Sequence, residues 1–221
     1  MLGRKPQDSD NIKVLTLEEV ERLLEVTCDN MNKGVLPHLI ARLFCGIRSV
    51  EASKLHWKDI KLNRKNPFIS VPTSFAKGRF VRTVPIPPNA VEWFKLCDKS
   101  KPMAFDNYNQ YDKRISSLFK KAKIGEWKLI NGQKEWRSKY NPNAIRHSFG
   151  SYHLQFSKNS IETARLIGHS PNSKDHILYA HYISNMEDGD GEKYFNIYPK
   201  KKKEARKVIP FSEVDLSLIH I

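Results

Sequence analysis

Residues 46–60 read Gly-Ile-Arg-Ser-Val-Glu-Ala-Ser-Lys-Leu-His-Trp-Lys-Asp-Ile, and the character of the chain changes within this stretch. Before it, residues 36–44 are apolar enough to predict a buried helix, with Pro37 in the first turn. Within it, Arg48 and Glu51 are three residues apart and share a face if the segment is helical. An arginine held behind a glycine turn can present its guanidinium to a phosphate, although an ordinary helical ion pair would use the same spacing.

After this stretch the helical periodicity gives way to short β-like runs. Residues 57–62, 68–71 and 80–86 are rich in β-branched and aromatic side chains and are separated by turn-forming dipeptides. Helical patterns occupy most of the rest, beginning with a capping box at Thr16 and Glu19. We therefore expect an α+β, mainly helical fold with a small three-stranded antiparallel sheet.

The same pattern predicts one domain between two terminal segments. Further helices are predicted near residues 90–97, 108–122, 142–156, 160–167 and 173–183. The polar and aromatic residues 125–140 predict an irregular loop or a hairpin. Residues 1–13 are typical of a linker or the remnant of an arm, and residues 186–221, acidic and then lysine-rich, predict a flexible basic tail. Residues 14–185 remain as the domain.

The composition favours a polyanionic partner. The chain of 221 residues has 38 lysines and arginines against 24 aspartates and glutamates, so its formal net charge is +14. Such an excess favours nucleic acid first and an anionic membrane surface second. A hydrophobic fraction of 39% excludes a wholly disordered protein.

The cysteines and the hydropathy pattern favour a reducing compartment. The three cysteines include no Cys-x-x-Cys pair, which argues against a disulfide framework and a cysteine-rich zinc site. No apolar stretch reaches the roughly 18 residues of a membrane span, and the N-terminus lacks the apolar core of a signal peptide. We expect a cytoplasmic protein, associated with the nucleoid if prokaryotic.

Two further clusters carry residues suited to phosphate chemistry. Asn143 and Arg146 share a helical face, although a capping asparagine and a surface arginine would have the same spacing. A Gly-His-Ser break places the imidazole of His169 in a turn, and Tyr179 follows on the next predicted helix. Taken singly, such a histidine is usually a structural hydrogen bonder and such a tyrosine usually belongs to the core or its rim.

Taken together, the order and spacing of these clusters resemble the catalytic domain of the tyrosine recombinases, the phage integrase family. Residues 46–51 are similar to the family's first arginine box, and residues 55–60 to the Leu-x-Trp-x-Asp-Ile stretch after it. Residues 145–149 are similar to the second arginine box and residues 166–170 to the Leu-x-Gly-His turn. Residues 179–181 are similar to the segment that carries the nucleophile. The resemblance spans the whole predicted domain and implies the recombinase catalytic fold.

The resemblance also implies a set of catalytic residues: Arg48, Lys77, Asn143, Arg146, His169 and Tyr179. Arg48 and Arg146 would clamp the scissile phosphate, and Tyr179 would be the nucleophile. Lys77 would be the lysine of a β-hairpin, and Glu51 would support the first arginine box. The residues expected to contact DNA around them are Lys54, Lys58, Arg79, Arg82 and His147.

Two positions depart from the family's pattern. Asn143 stands where the family most often has histidine, and an amide cannot take up a proton at neutral pH. His147 is the neighbour that could compensate. The gap between His169 and Tyr179 is one residue longer than usual, which leaves Tyr182 as a rival nucleophile.

The function implied by the resemblance is site-specific, integrase-type recombination of double-stranded DNA through a 3′-phosphotyrosine intermediate, with the protein acting as a homo-oligomer, a tetramer, on DNA. No metal, cofactor, membrane or small-molecule substrate is expected. Two alternatives stay open at this point: a catalytically silent DNA-binding relative, which Asn143 favours, and a type IB topoisomerase-like relaxing enzyme. Because the catalytic-type sequence starts by residue 15, we expect the family's N-terminal DNA-binding domain to be missing.

Overall fold

Two helices precede the quoted stretch in the structure, a computed structural model that describes residues 13–29, 33–72, 74, 82–103, 105, 107–141, 143–168 and 186–200. Helix α1 (Leu17–Thr27) begins with the predicted capping box: the Thr16 hydroxyl accepts from the Glu19 amide at 3.3 Å, and the Glu19 carboxylate accepts from the Thr16 amide at 3.0 Å. Helix α2 (Leu36–Cys45) is buried along its whole length and ends at Gly46. The prediction of a buried helix at this place is confirmed.

Gly46 turns the chain out of α2 towards the first arginine box. Its φ is +63°, in the left-handed region that favours glycine, and a Cβ here would lie 2.5 Å from the ring of Phe149. The short helix α3 (Ser49–Ala52) follows directly, and a single 3₁₀ turn leads into the sheet. The glycine therefore allows the turn and also the close approach of another helix.

The predicted three-stranded sheet is present. Its strands are β1 (Ile60–Lys61), β2 (Phe68–Val71) and β3 (Arg82–Pro85), antiparallel and in sequence order. Ile69 faces Ile60 on one side and Val84 on the other, and all three side chains are buried. This register directs the apolar face of the sheet into the core.

The second half of the described chain is mainly helical. Its elements are α4 (Pro88–Lys95), α5 (Tyr108–Lys121), β4 (Gly125–Ile130), β5 (Gln133–Ser138), α6 (Ala144–Ser157), α7 (Ser160–Leu166) and α8 (Asp190–Phe195). Of the two structures considered for residues 125–140, the chain adopts the hairpin, β4–β5. The helix predicted near residues 173–183 lies outside the described residues.

Helix α6 lies at the centre of the fold. It packs against α2, α7 and α8. The segment before α1 is tied to it by two buried hydrogen bonds: the Leu15 amide donates to the Ser148 hydroxyl at 2.8 Å, and the Tyr152 hydroxyl donates to the Leu15 carbonyl at 2.8 Å. Elements distant in sequence are thus fixed to the helix that carries the second arginine box.

Helix α8 corrects the predicted boundary of the tail, because residues 190–197 belong to the folded core. Tyr194 is fully buried, stacks on Tyr152 with ring centroids 4.2 Å apart, and donates from its hydroxyl to the Leu43 carbonyl at 2.5 Å. The indole of Trp93 donates to the Ile197 carbonyl at 2.8 Å. The acidic and glycine-containing run before Tyr194 resembles a linker in composition, which is why sequence reasoning placed the boundary too early. Residues 201–221 lie outside the described part of the chain.

The predicted fold class, mainly helical with a small antiparallel sheet, is confirmed. Among the helices that the structure describes, none is long and apolar enough to span a membrane.

Candidate phosphate-binding site

Arg48 stands at the N-cap of α3. Its backbone amide donates to one carboxylate oxygen of Glu51 at 2.9 Å, and its Nη1 donates to the other at 3.0 Å. Its Nη2 donates to the carbonyl of Gly168. The three-residue spacing seen in the sequence therefore produces a capping arrangement that fixes the guanidinium beside the start of the helix.

A second arginine shares the same carboxylate. Arg82, the first residue of β3, places Nη1 2.6 Å from Oε1 of Glu51 and Nη2 2.7 Å from Oε2. This is a bidentate guanidinium–carboxylate pair. Sequence analysis expected Arg82 to contact DNA, whereas the structure directs both terminal nitrogens of Arg82 at Glu51. No local sequence pattern indicates this pair, because the two residues are 31 positions apart and lie on different elements.

Glu51 is the charged centre of this cluster. Its side chain is 1% exposed, and it accepts hydrogen bonds from the amide and guanidinium of Arg48 and from the guanidinium of Arg82. Burial raises the pKa of Glu51, but the hydrogen bonds and charges of Arg82 and then Arg48 outweigh it, so the pKa is lowered from its ordinary value. The carboxylate stays ionised at neutral pH, and the cluster keeps one net positive charge.

The turn after α7 closes over the two arginines. Gly168 has φ +68°, and a Cβ there would lie 2.8 Å from Nη1 of Arg48 and 2.9 Å from Nη1 of Arg82. The left-handed φ favours glycine, and a side chain at this position would displace at least one of the two guanidinium groups. Sequence reasoning singled out His169, the next residue, and did not assign this role to Gly168.

The second arginine box begins at the same junction. Arg146 lies in the first turn of α6 and is 9% exposed. Phe149, three residues later, is the side chain that meets Gly46, two residues before Arg48. The segments that carry Arg48 and Arg146 are therefore in direct contact.

Asn143 occupies the N-cap of α6 without capping through its side chain. The residue is exposed, and its backbone amide donates to the Asn141 side chain at 2.9 Å. The capping interpretation considered for Asn143 is thus not what the structure has.

The other predicted contact residues fall into two groups. His147 is half-buried, and burial, followed by the charge of Arg146, lowers its pKa, so the ring is neutral at pH 7. Lys54, which follows α3, and Lys58, in the 3₁₀ turn before β1, are both exposed. The remaining predicted residues lie outside the described part of the chain: Lys77, Arg79, His169, Tyr179 and Tyr182.

Another side chain near Arg48 was not singled out from the sequence. The Tyr108 hydroxyl, at the start of α5, donates to the Ser49 hydroxyl of α3 at 3.2 Å. This contact brings the N-terminal end of α5 beside the first arginine box. Within the described residues no group of three or more histidine, cysteine or acidic side chains is arranged to hold a metal ion. The chemistry this site offers is stabilisation of an anion by fixed guanidinium groups.

Comparison with known proteins identifies a family for most of the chain. Residues 13–186 match the phage integrase family. The tyrosine recombinase XerC of Vibrio vulnificus (strain YJ016) is 30% identical over 206 residues, which cover 88% of this chain and 59% of XerC. A tyrosine recombinase of Pseudothermotoga lettingae is 25% identical over 169 residues, covering 75% of this chain and 54% of the relative. The chain thus spans little more than half the length of these relatives.

Solved structures show the same fold. The crystal structure of XerA recombinase superposes with a TM-score of 0.55 and 18% identity, covering 89% of this chain and 66% of XerA. That of XerH site-specific recombinase, bound to palindromic difH substrate after cleavage, superposes with a TM-score of 0.57 and 18% identity, covering 81% of this chain and 52% of XerH. With the match over residues 13–186, these findings show that the chain belongs to the phage integrase family of tyrosine recombinases.

Proposed function

We propose that this chain is the catalytic part of a site-specific DNA recombinase, which cleaves and rejoins duplex DNA through a 3′-phosphotyrosine intermediate. The observation that carries the proposal is the junction of Arg48, Glu51 and Gly168. The chain belongs to the family, and this junction holds the guanidinium group of Arg48, in the first arginine box, next to the turn that precedes His169 in sequence.

The first chemical step is attack of the Tyr179 hydroxyl on a scissile phosphodiester. A bond forms between the phenolic oxygen and phosphorus, the bond from phosphorus to the 5′ oxygen breaks, and the tyrosine proton passes to water. Negative charge develops on the non-bridging oxygens, where Arg48 and Arg146 stabilise it bidentately. A phenol with a pKa near 10 is mostly protonated at neutral pH and is therefore a weak nucleophile. The positive charge around it favours the ionised form, which is the stronger nucleophile.

The leaving group needs a proton. Lys77 is assigned to donate it to the departing 5′ oxygen, and His169 to hydrogen-bond the phosphate. The phosphotyrosine bond conserves the phosphodiester linkage, so that the 5′-hydroxyl of another strand can attack and restore DNA. Asn143, unable to transfer a proton, is assigned a hydrogen bond to the phosphate.

The partners follow from this assignment. Duplex DNA is the substrate, and the exposed Lys54 and Lys58, with Arg79 and His147, are assigned to contact its backbone. A tetramer on DNA is the proposed assembly, since exchange between two duplexes needs one nucleophile for each of four strands. The proposed cellular location is the cytoplasm, at the nucleoid in a prokaryotic host.

The experiment that tests the function uses a pool of duplexes with a randomised central sequence and a nick that traps the cleaved strand. A covalent adduct on a denaturing gel is expected, lost in Tyr179→Phe and kept in Tyr182→Phe. Absence of any adduct with the purified chain would favour a silent DNA-binding relative. Relaxation of supercoiled plasmid without recombinant products would favour a topoisomerase instead.

A further inference from the structure

We infer that Arg82 is a positioning residue, which acts through the Glu51 carboxylate to hold Arg48 and the Gly168 turn in their catalytic places. This inference rests on the proposed function and assigns Arg82 a role other than direct contact with DNA.

The first step is the sharing of one carboxylate. Oε1 of Glu51 accepts from Nη1 of Arg48 at 3.0 Å and from Nη1 of Arg82 at 2.6 Å. Oε2 accepts from the Arg48 amide at 2.9 Å and from Nη2 of Arg82 at 2.7 Å. Because each oxygen is held from both sides, the carboxylate cannot rotate without breaking a bond to one of the arginines.

The second step is that both terminal nitrogens of Arg82 donate to Glu51. Its side chain is 16% exposed, against 26% for Arg48. If Arg82 turned towards a phosphate, the nearly inaccessible carboxylate of Glu51 would lose two of its four hydrogen bonds, and a buried charge left partly unpaired is costly. Arg48 gives Nη1 to the carboxylate and Nη2 to the Gly168 carbonyl, and its side chain is the more exposed of the two.

The third step is that this junction joins α3, β3 and the turn after α7. Arg48 is at the N-cap of α3, and Gly168, whose carbonyl accepts from Arg48, directly precedes His169 in sequence. Arg82 opens β3, five positions after Lys77 in sequence. A shift of Glu51 is therefore transmitted to each of these segments, and a misplacement of about 1 Å can reduce a rate by about 10²-fold.

The test compares Arg82→Ala, Arg82→Lys, Glu51→Gln and the double variant Glu51→Gln with Arg82→Ala. Single-turnover cleavage of a nicked duplex at saturating DNA should fall about 10²-fold in Arg82→Ala. Lysine reaches only one carboxylate oxygen, so Arg82→Lys should recover part of the loss. The double variant should cleave no more slowly than the worse single variant, because both changes break one junction.

A matched control and a binding measurement separate positioning from direct contact. Arg137→Ala also removes a strand arginine from a pair with a glutamate, 2.5 Å from Glu135 on the exposed hairpin, and should leave cleavage unchanged. DNA affinity and its dependence on salt should be alike in Arg82→Ala and Arg137→Ala. A cleavage rate preserved at saturating DNA, with a salt slope lower by about one, would make Arg82 a phosphate contact and overturn the inference. Additive losses in the double variant would also overturn it.

A readout that needs no cleavage keeps the inference separate from the proposed function. Carboxyl NMR of the free protein should show the pKa of Glu51 rising in Arg82→Ala, with a shifted Arg48 Nε–H resonance. If the wild-type chain forms no adduct, the proposed function fails while this spectrum still decides whether Arg82 holds the junction. Unchanged resonances would refute the junction. Thermal melting checks folding, and Arg82→Lys serves for the same spectrum if the alanine variant is unfolded.

Discussion

At the scale of single residues, Gly168 is restricted both by its left-handed backbone and by the two arginines beside it. A Cβ at this position would meet the guanidinium groups of both Arg48 and Arg82. We predict that Gly168→Ala will lower the cleavage rate by about ten-fold, because the added Cβ displaces at least one of the two arginines held by Glu51. The melting temperature should also fall, because alanine is strained by about 1–2 kcal/mol at a left-handed backbone position.

Gly132 provides the matched control for this substitution. It also has a positive φ, +80°, but nothing lies within 4 Å of the place its Cβ would take. Gly132→Ala should thus share the backbone strain and lack the collision. Equal cleavage rates in the two variants would show that the turn at Gly168 does not matter to the arginines.

His38 is a buried group with a clear pH signature. Its Nδ1 lies 2.7 Å from the Ala52 carbonyl and its Nε2 2.6 Å from the Met103 carbonyl, and the neutral ring, which has one N–H, donates to one of the two. Burial lowers the pKa of His38 to about 4, although the two carbonyls act in the opposite direction. Because an unfolded histidine titrates near 6.5, the unfolded chain takes up the proton more readily than the native one.

The sign of the pH dependence follows from this difference. The stability associated with neutral His38 is fully present above about pH 6.5 and is lost as pH falls towards 4, up to about 3 kcal/mol in total. We predict that His38→Gln will lower stability at pH 7. It should also make the unfolding free energy depend less steeply on pH between about pH 4 and pH 6.5. The control is His56→Gln, at an exposed position. The same pH slope in the wild type, His38→Gln and His56→Gln would contradict the assignment.

At the scale of elements, the helix α8 should be needed for the fold. Tyr194 fills a fully buried place between α2 and α6. We predict that Tyr194→Ala will destabilise the protein by about 3–5 kcal/mol, as loss of a large core aromatic does. Tyr194→Phe removes only the hydrogen bond to Leu43 and should cost about 0.5–1.5 kcal/mol.

Chemical denaturation measures both changes, and Tyr198→Ala is the control. Tyr198 lies four residues further along and is 44% exposed, so its truncation should destabilise the protein clearly less than that of Tyr194. If Tyr194→Ala is tolerated as well as Tyr198→Ala, the end of the described chain is not part of the core.

How far the sequence predicts these elements depends on the range of the contacts that form them. The capping box at Thr16 and the buried helix α2 follow from neighbours three or four residues apart, and both were predicted correctly. The place of Tyr194 follows from contacts with residues about 40 and 150 positions away, which local periodicity does not encode. The hairpin β4–β5 lies between these cases, because the polar and aromatic composition of residues 125–140 left both a loop and a hairpin open.

The same limit applies to the candidate site. The spacing of Arg48 and Glu51 predicted only that they share a helical face, and the family resemblance added that Glu51 supports the first arginine box. Its pairing with Arg82 and the closure by Gly168 depend on how β3 and the turn after α7 approach α3. A resemblance to a family supplies the positions of its motif residues, whereas the side chains that hold them in place are found only in the folded chain.

At the scale of the whole molecule, the excess of 14 positive charges should govern binding to DNA. If the domain contacts about 6–10 phosphates, each contact releases a counterion, and affinity should fall about 10³–10⁵-fold between 50 and 200 mM salt. Fluorescence anisotropy with a labelled duplex of arbitrary sequence measures this slope. Each of Lys54→Ala and Lys58→Ala should lower it by about one if the residue contacts a phosphate. Lys95→Ala, which removes an exposed lysine 2.6 Å from Glu92, provides the charge-matched comparison. A nearly flat response to salt would mean that the positive charge of this chain serves some purpose other than tracking the DNA backbone.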